Sequence, residues 1–119
     1  MIIFRYYDKE NLIDRVWYKS SNILFSELDD IKDSLKVLTV VFKSGATYKY
    51  YDVDVNDYVM FVHGGLDGSN GKALNRFIKA KCEKYERVED RDPNEVFGEM
   101  DKYKKIAQEE KDKEKEEKE

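Results

Sequence analysis

The sequence holds a single cysteine, a single proline and a single histidine among its 119 residues. A lone Cys82 cannot close a disulfide within the chain. That usage fits a reducing compartment, so a cytoplasmic protein is expected. His63 has no second histidine and no cysteine at ligand spacing, which argues against zinc. No nucleophile motif accompanies it, so the chain is not expected to be an enzyme. The carboxylate pairs Asp29-Asp30 and Asp52-x-Asp54 lack the layout of a calcium loop, and capping or turn roles suffice for them. No cofactor is expected. No apolar run approaches the ~20 residues of a membrane span. The opening Met1-Ile2-Ile3-Phe4 is too short for a secretory leader, and charge follows at once with Arg5.

Charge is plentiful, at 40% of residues, and it is unevenly placed. Residues 1–88 carry 14 Lys or Arg against 13 Asp or Glu, while residues 89–119 carry 8 against 13. The acidity therefore sits in the C-terminal stretch. An acidic chain is not an obvious ligand for duplex DNA, because phosphate contacts need cationic surface. The near-neutral first part leaves room for a local basic stripe. We read residues 1–90 as one α+β domain and residues 91–119 as a charged tail, helical or disordered.

Residues 1–7, 12–19 and 23–28 read as short strands separated by polar breaks. Residues 35–42 are β-branched and aromatic with apolar groups on both faces, the pattern of a central strand covered on both sides. Ser44-Gly45 then reads as a tight hairpin turn in which glycine supplies positive φ, and residues 47–53 form the partner strand. Asp54 is placed to cap a helix, along which Val55, Tyr58, Val59 and Val62 keep helical spacing. Gly64-Gly65 ends it. Leu66 to Gly71 is a loop, and a second helix is expected over 72–85 with Leu74, Phe77, Ile78, Cys82 and Tyr85 on its apolar face. Pro93 breaks the chain. Beyond it Val96, Phe97, Met100, Tyr103, Ile106 and Ala107 make a thin stripe, and after Gln108 nothing remains to bury. The architecture expected is an antiparallel meander of three to five strands with two packed helices.

The run from Ser20 to Tyr85 resembles the KTSC domain. The resemblance rests on Ser20-Ser21-Asn22-Ile23, the strand ending at Phe42, the turn at Gly45, Tyr48-x-Tyr50 followed by Val53, and Tyr58 and Phe61 on the helix. Gly71-Lys72 with Asn75, Phe77 and Ile78 completes it. Asp54 stands where similar sequences tend to carry proline, and the spacing through residues 29–34 is stretched. That domain is named for its place at the C-terminus of some lysyl-tRNA synthetases, and it also occurs as small bacterial and phage proteins. The resemblance implies a small α+β fold and RNA binding, and it implies no catalysis. For a phage-encoded chain the compartment would be the host cytoplasm.

Three features bear on a ligand. Tyr48 and Tyr50 share one face of their strand, either as core or as a platform on which unpaired bases stack. Gly71-Lys72 opens a helix, where turn chemistry competes with anion binding by backbone N–H groups. Lys72, Arg76 and Lys79 recur at i, i+4, i+7 as one ridge, which is either a solvated face or a track for phosphates. These six residues form the candidate site for RNA or single-stranded DNA. The alternative is an effector that binds a host protein complex through the acidic tail and the aromatic first strand.

Overall fold

The computed structural model describes residues 1–29, 36–65 and 68–118. Asp30, Leu35, Leu66, Asp67 and the spacing through residues 30–34 lie outside the described residues. Six strands form one antiparallel sheet in chain order: β1 (Ile2–Asp8), β2 (Ile13–Tyr18), β3 (Ile23–Asp29), β4 (Lys36–Phe42), β5 (Thr47–Val53) and β6 (Tyr85–Val88). The helices are α1 (Val55–Val62), the short α2 (Asn70–Ala73), which continues into a π-helical segment (Leu74–Lys79), and α3 (Pro93–Lys118). No helix among the described residues is long and apolar enough to cross a membrane.

The α+β class holds, with one strand more than the expected upper count of five. The extra strand comes from the end of the expected second helix. That helix stops at Lys79, and Tyr85 begins β6, paired with Tyr50 of β5. Tyr85 is apolar at a spacing that also suits the helix stripe, but its place in the structure is an exposed sheet edge.

Alternation along the strands sends side chains to both faces. On one face Val16, Tyr18, Leu38, Val40 and Tyr50 meet Tyr58, Phe61 and Val62 of α1 and Leu74 and Ile78 of the π-helical segment. A bulge helps to close this core. Asp52 sits at φ +58°, so β5 carries one residue more than β4 between Tyr50 and Val53, and both of these reach the same core. On the other face Trp17, Phe25 and Val41 pack against Val96 and Met100 of α3. The Trp17 indole N–H donates to the Val96 carbonyl at 2.9 Å, which satisfies the one polar group of a fully buried ring. Residues assigned by sequence to the tail thus cover the second face of the sheet. The thin stripe is enough because it meets large aromatic rings: Tyr103 lies 5.8 Å from Trp17 and 5.3 Å from Tyr6.

One buried charge links the sheet to α1. The Asp14 carboxylate accepts from Arg5 Nη2 at 2.7 Å, Arg5 Nε at 3.0 Å and the Tyr58 hydroxyl at 2.7 Å. A buried carboxylate is tolerated only when its acceptor capacity is met in this way. Asp54 caps α1 as expected, accepting from the Asn56 N–H at 2.8 Å.

The turn at Gly45 does more than close a hairpin. Gly45 sits at φ +95°. Its carbonyl accepts from the Arg91 N–H at 2.9 Å and from the Thr47 hydroxyl at 3.0 Å. A Cβ there would lie 2.7 Å from the Arg91 carbonyl oxygen. Gly45→Val therefore combines backbone strain with a clash, and it is expected to cost at least about 2 kcal/mol in urea unfolding; stability equal to the parent's would refute the turn's role. The two halves of α3 should also separate in the same assay. Met100→Ala is expected to cost about 2–5 kcal/mol, as for other buried methionines. Removing residues 109–119, which meet the sheet through the exposed Tyr6–Glu110 hydrogen bond, should cost under about 0.5 kcal/mol.

Candidate nucleic-acid interface

The candidate residues sit where β5, β6 and the π-helical segment meet. Tyr48 and Tyr50 point to the face covered by α1 and the π-helical segment, and their rings stack at 6.4 Å. Tyr50 is 2% exposed and belongs to the core, whereas Tyr48 is half-buried. The packing reading therefore holds for Tyr50, and only Tyr48 of the pair presents surface. Burial pushes the Tyr50 hydroxyl up to about 12. Tyr51 turns to the opposite face, with the Lys84 ammonium 5.1 Å from its ring and its hydroxyl bonded to Glu86.

Two further residues join Tyr48 and Tyr50 through β6. In register, Tyr85 stands opposite Tyr50 and Arg87 opposite Tyr48. Tyr85 stacks on Tyr50 at 6.2 Å and is 63% exposed. The Arg87 guanidinium lies 5.9 Å from the Tyr48 ring and pairs with Asp90 at 3.2 Å. Phe42 meets Tyr48 edge to face at 5.9 Å. An aromatic row thus runs Phe42, Tyr48, Tyr50, Tyr85 across three strands.

The basic ridge does not stay together. In the π-helical segment the Ala80 N–H bonds to the Asn75 carbonyl at 3.0 Å, one residue further back than in an α-helix. The wider turn rotates successive side chains by less than the α-helical step, so residues 76 and 79 no longer share a ridge. Lys79 swings over the aromatic row, its ammonium 5.5 Å from the Phe42 ring. It lines, with Tyr48, Tyr50 and Tyr85, a recess of about 300 Å3. Lys72 and Arg76 are exposed on the same helical run and do not line that recess.

The helix start at Gly71 is capped from within. Ser69 Oγ accepts from the Lys72 N–H at 3.3 Å. Asn70 is buried, its amide donating to the Phe61 and Val62 carbonyls at 2.8 and 3.0 Å. Gly71 itself faces Asn22, whose side-chain nitrogen would lie 3.7 Å from an added Cβ. Asn22 in turn lines, with Phe42 and Tyr48, a second shallow depression. The glycine loop therefore borders the aromatic row through Asn22, while Ser69 and Asn70 spend their polar groups on the fold.

His63 is the exposed C-cap of α1, the helix-end position expected for it. The Cys82 thiol points at the backbone, 3.0 Å from the Lys84 carbonyl and 3.3 Å from that of Tyr51. No group of three metal-ligating side chains gathers among the described residues. Tyr85, Arg87 and Phe42 are the site residues that the sequence reading left out. The one signal for β6 is the alternation Tyr85-Glu86-Arg87-Val88, which is short and competes with the helical stripe.

No protein-family model, curated protein or solved structure matches this chain. The likeness to the KTSC domain accordingly rests on the motifs quoted above.

The raised Tyr50 hydroxyl has a consequence at alkaline pH. Its folded value of about 12 stands above the ordinary 10 of a tyrosine, so the neutral form is favoured by folding. Its contribution to stability is complete below about pH 10 and is lost as pH rises toward 12. Burial pushes the Tyr18 and Tyr58 hydroxyls up as well. The urea midpoint should fall between pH 9 and 11.5, and Tyr50→Phe should lessen that fall without removing it. An unchanged alkaline profile in the variant would contradict the assignment.

Proposed function

We propose that this protein is a non-enzymatic binding module for single-stranded nucleic acid, RNA or DNA, of the kind the KTSC resemblance implies. The observation that carries this reading is Lys79 brought over an aromatic row whose surface members are Tyr48 and Tyr85. Stacking on aromatic rings beside cations suits splayed bases and tolerates any sequence, because every base has a π-face. Lys72 and Arg76 extend positive charge along the same helical run, and Gly71 borders the row. The setting proposed is the cytoplasm.

A protein-binding role has its own support. The edge strand β1 leaves Ile3 and Tyr7 exposed beside Met1, with Val55 and Val59 of α1 also exposed. Unpaired strand edges with apolar groups invite another chain. Capture of a protein partner that survives nuclease treatment, and is lost on Ile3→Lys with Tyr7→Lys, would favour this alternative, a host-directed effector.

The nucleic-acid reading is tested by fluorescence anisotropy with labelled single strands and duplexes of mixed sequence. Dissociation constants of about 10⁻⁴ to 10⁻⁶ M are expected at moderate salt, weakening as salt is raised. Single strands should bind better than duplex. Changing Arg76 and Lys79 together to Glu should abolish binding and leave the melting temperature unchanged, since both are exposed. A chain ending at residue 108 serves as the control for masking by the acidic stretch, because a shorter one would begin to strip α3 from the sheet. Absence of binding by both chains at tens of micromolar protein (within the non-specific range of about 10⁻⁴ to 10⁻⁶ M) would remove this reading.

A further inference from the structure

We infer that the recess at the β5–β6 edge is a seat for one unpaired nucleobase with its adjoining phosphate, in which Tyr85 supplies the stacking ring and Lys79 the phosphate contact. This rests on the single-strand reading above and narrows it to a unit of recognition.

Size is the first argument. About 300 Å3 lies at the bottom of the range for small-molecule sites, roughly 300–1,000 Å3. It is on the scale of one nucleoside. A paired base would first have to be unstacked and unpaired, at a cost of a few kcal/mol, so a base that is already unpaired is favoured.

The lining is the second. Tyr50 is buried and forms the floor, and Tyr85 is stacked on it at 6.2 Å with an interplanar angle of 30°. An exposed ring held from behind by a buried one is a fixed platform that loses little freedom when a base lands on it. Among the described residues Tyr85 is the most exposed large apolar side chain after Met1.

Charge decides where the phosphate goes. Two cations flank the row, Lys79 from the helix and Arg87 from β6. Arg87 is already held by the Asp90 carboxylate at 3.2 and 3.3 Å, which opposes an anion on that side. Lys79 takes part in no ion pair among the described residues. The phosphate is therefore assigned to Lys79, and the base lies toward Tyr85 and Tyr48. The guanidinium of Arg87, near the Tyr48 ring, offers a second flat surface for the base.

The experiment compares mixed-sequence single strands of RNA and of DNA with a strand of the same length and phosphate count made of abasic units. Wild type should bind the base-bearing strands at least about fivefold more tightly than the abasic one, given the usual worth of a stacked base. Tyr85→Leu should lose that advantage and fall to the abasic level. Tyr85→Phe should restore it. Lys79→Gln should weaken base-bearing and abasic strands alike. Equal binding by RNA and DNA assigns the shared base–phosphate chemistry alone, whereas a preference for RNA adds the sugar hydroxyl to it. Binding that ignores Tyr85, or that treats abasic and base-bearing strands equally, overturns the seat while leaving the electrostatic reading intact. Failure of wild type to bind any strand overturns both. Because Tyr85 is exposed, thermal melts of its variants should match wild type, so lost binding cannot be put down to unfolding.

Discussion

Strand β2 sends Val16 and Tyr18 to the core beneath α1 and Trp17 to the core beneath α3. All three are at most 1% exposed, so the sheet has to be covered on both sides around this one strand. A sheet with two apolar faces cannot leave either to water without forfeiting about 25 cal/mol for each Å2 of apolar surface exposed. The other large features of the fold follow from that demand. The helices between β5 and β6 supply one cover. The chain must then cross the sheet edge to supply the second. The Gly45 turn is the point where it is held as it crosses, through the Arg91 N–H.

The fold was legible wherever the local signal and the packing agree. The β4–β5 hairpin, the cap at Asp54 and the glycine end of α1 each combine a turn or capping residue with an apolar periodicity, and all three are found where the sequence puts them. Legibility fails where one residue satisfies two patterns. Tyr85 fits a helical stripe at its i+3 spacing from Cys82, and it fits a strand edge equally well by alternation. Pairing with Tyr50 resolves the ambiguity, and that partner is 35 residues away in sequence. The docking of α3 was hidden for another reason. Its stripe is thin and its mean composition is charged, so only the size of the opposing rings shows that Val96 and Met100 suffice to cover them.

The π-helical turn shows why the candidate site was half legible. Its six residues keep Leu74 and Ile78 in the core while changing the azimuth of Lys79. In a regular α-helix Lys72, Arg76 and Lys79 would share one ridge, and Arg87 would be left as the cation beside the tyrosines. The sequence names Lys79 and strand β5 as candidates. It cannot show that they meet, because nothing in residues 74–79 announces the wider turn. The same geometry separates the roles of the paired tyrosines: one is floor, the other is surface.

The order of assembly follows from the way α3 returns to the sheet. Each strand of the meander pairs with its chain neighbour, so the sheet can grow hairpin by hairpin as the chain leaves the ribosome. The Trp17–Val96 bond spans 79 residues. Until Met100 has emerged, Trp17, Phe25 and Val41 remain bare on a nearly complete sheet. Before α3 docks, the meander thus has one covered face and one apolar face, and the second is sealed only when the helix that follows folds back onto it.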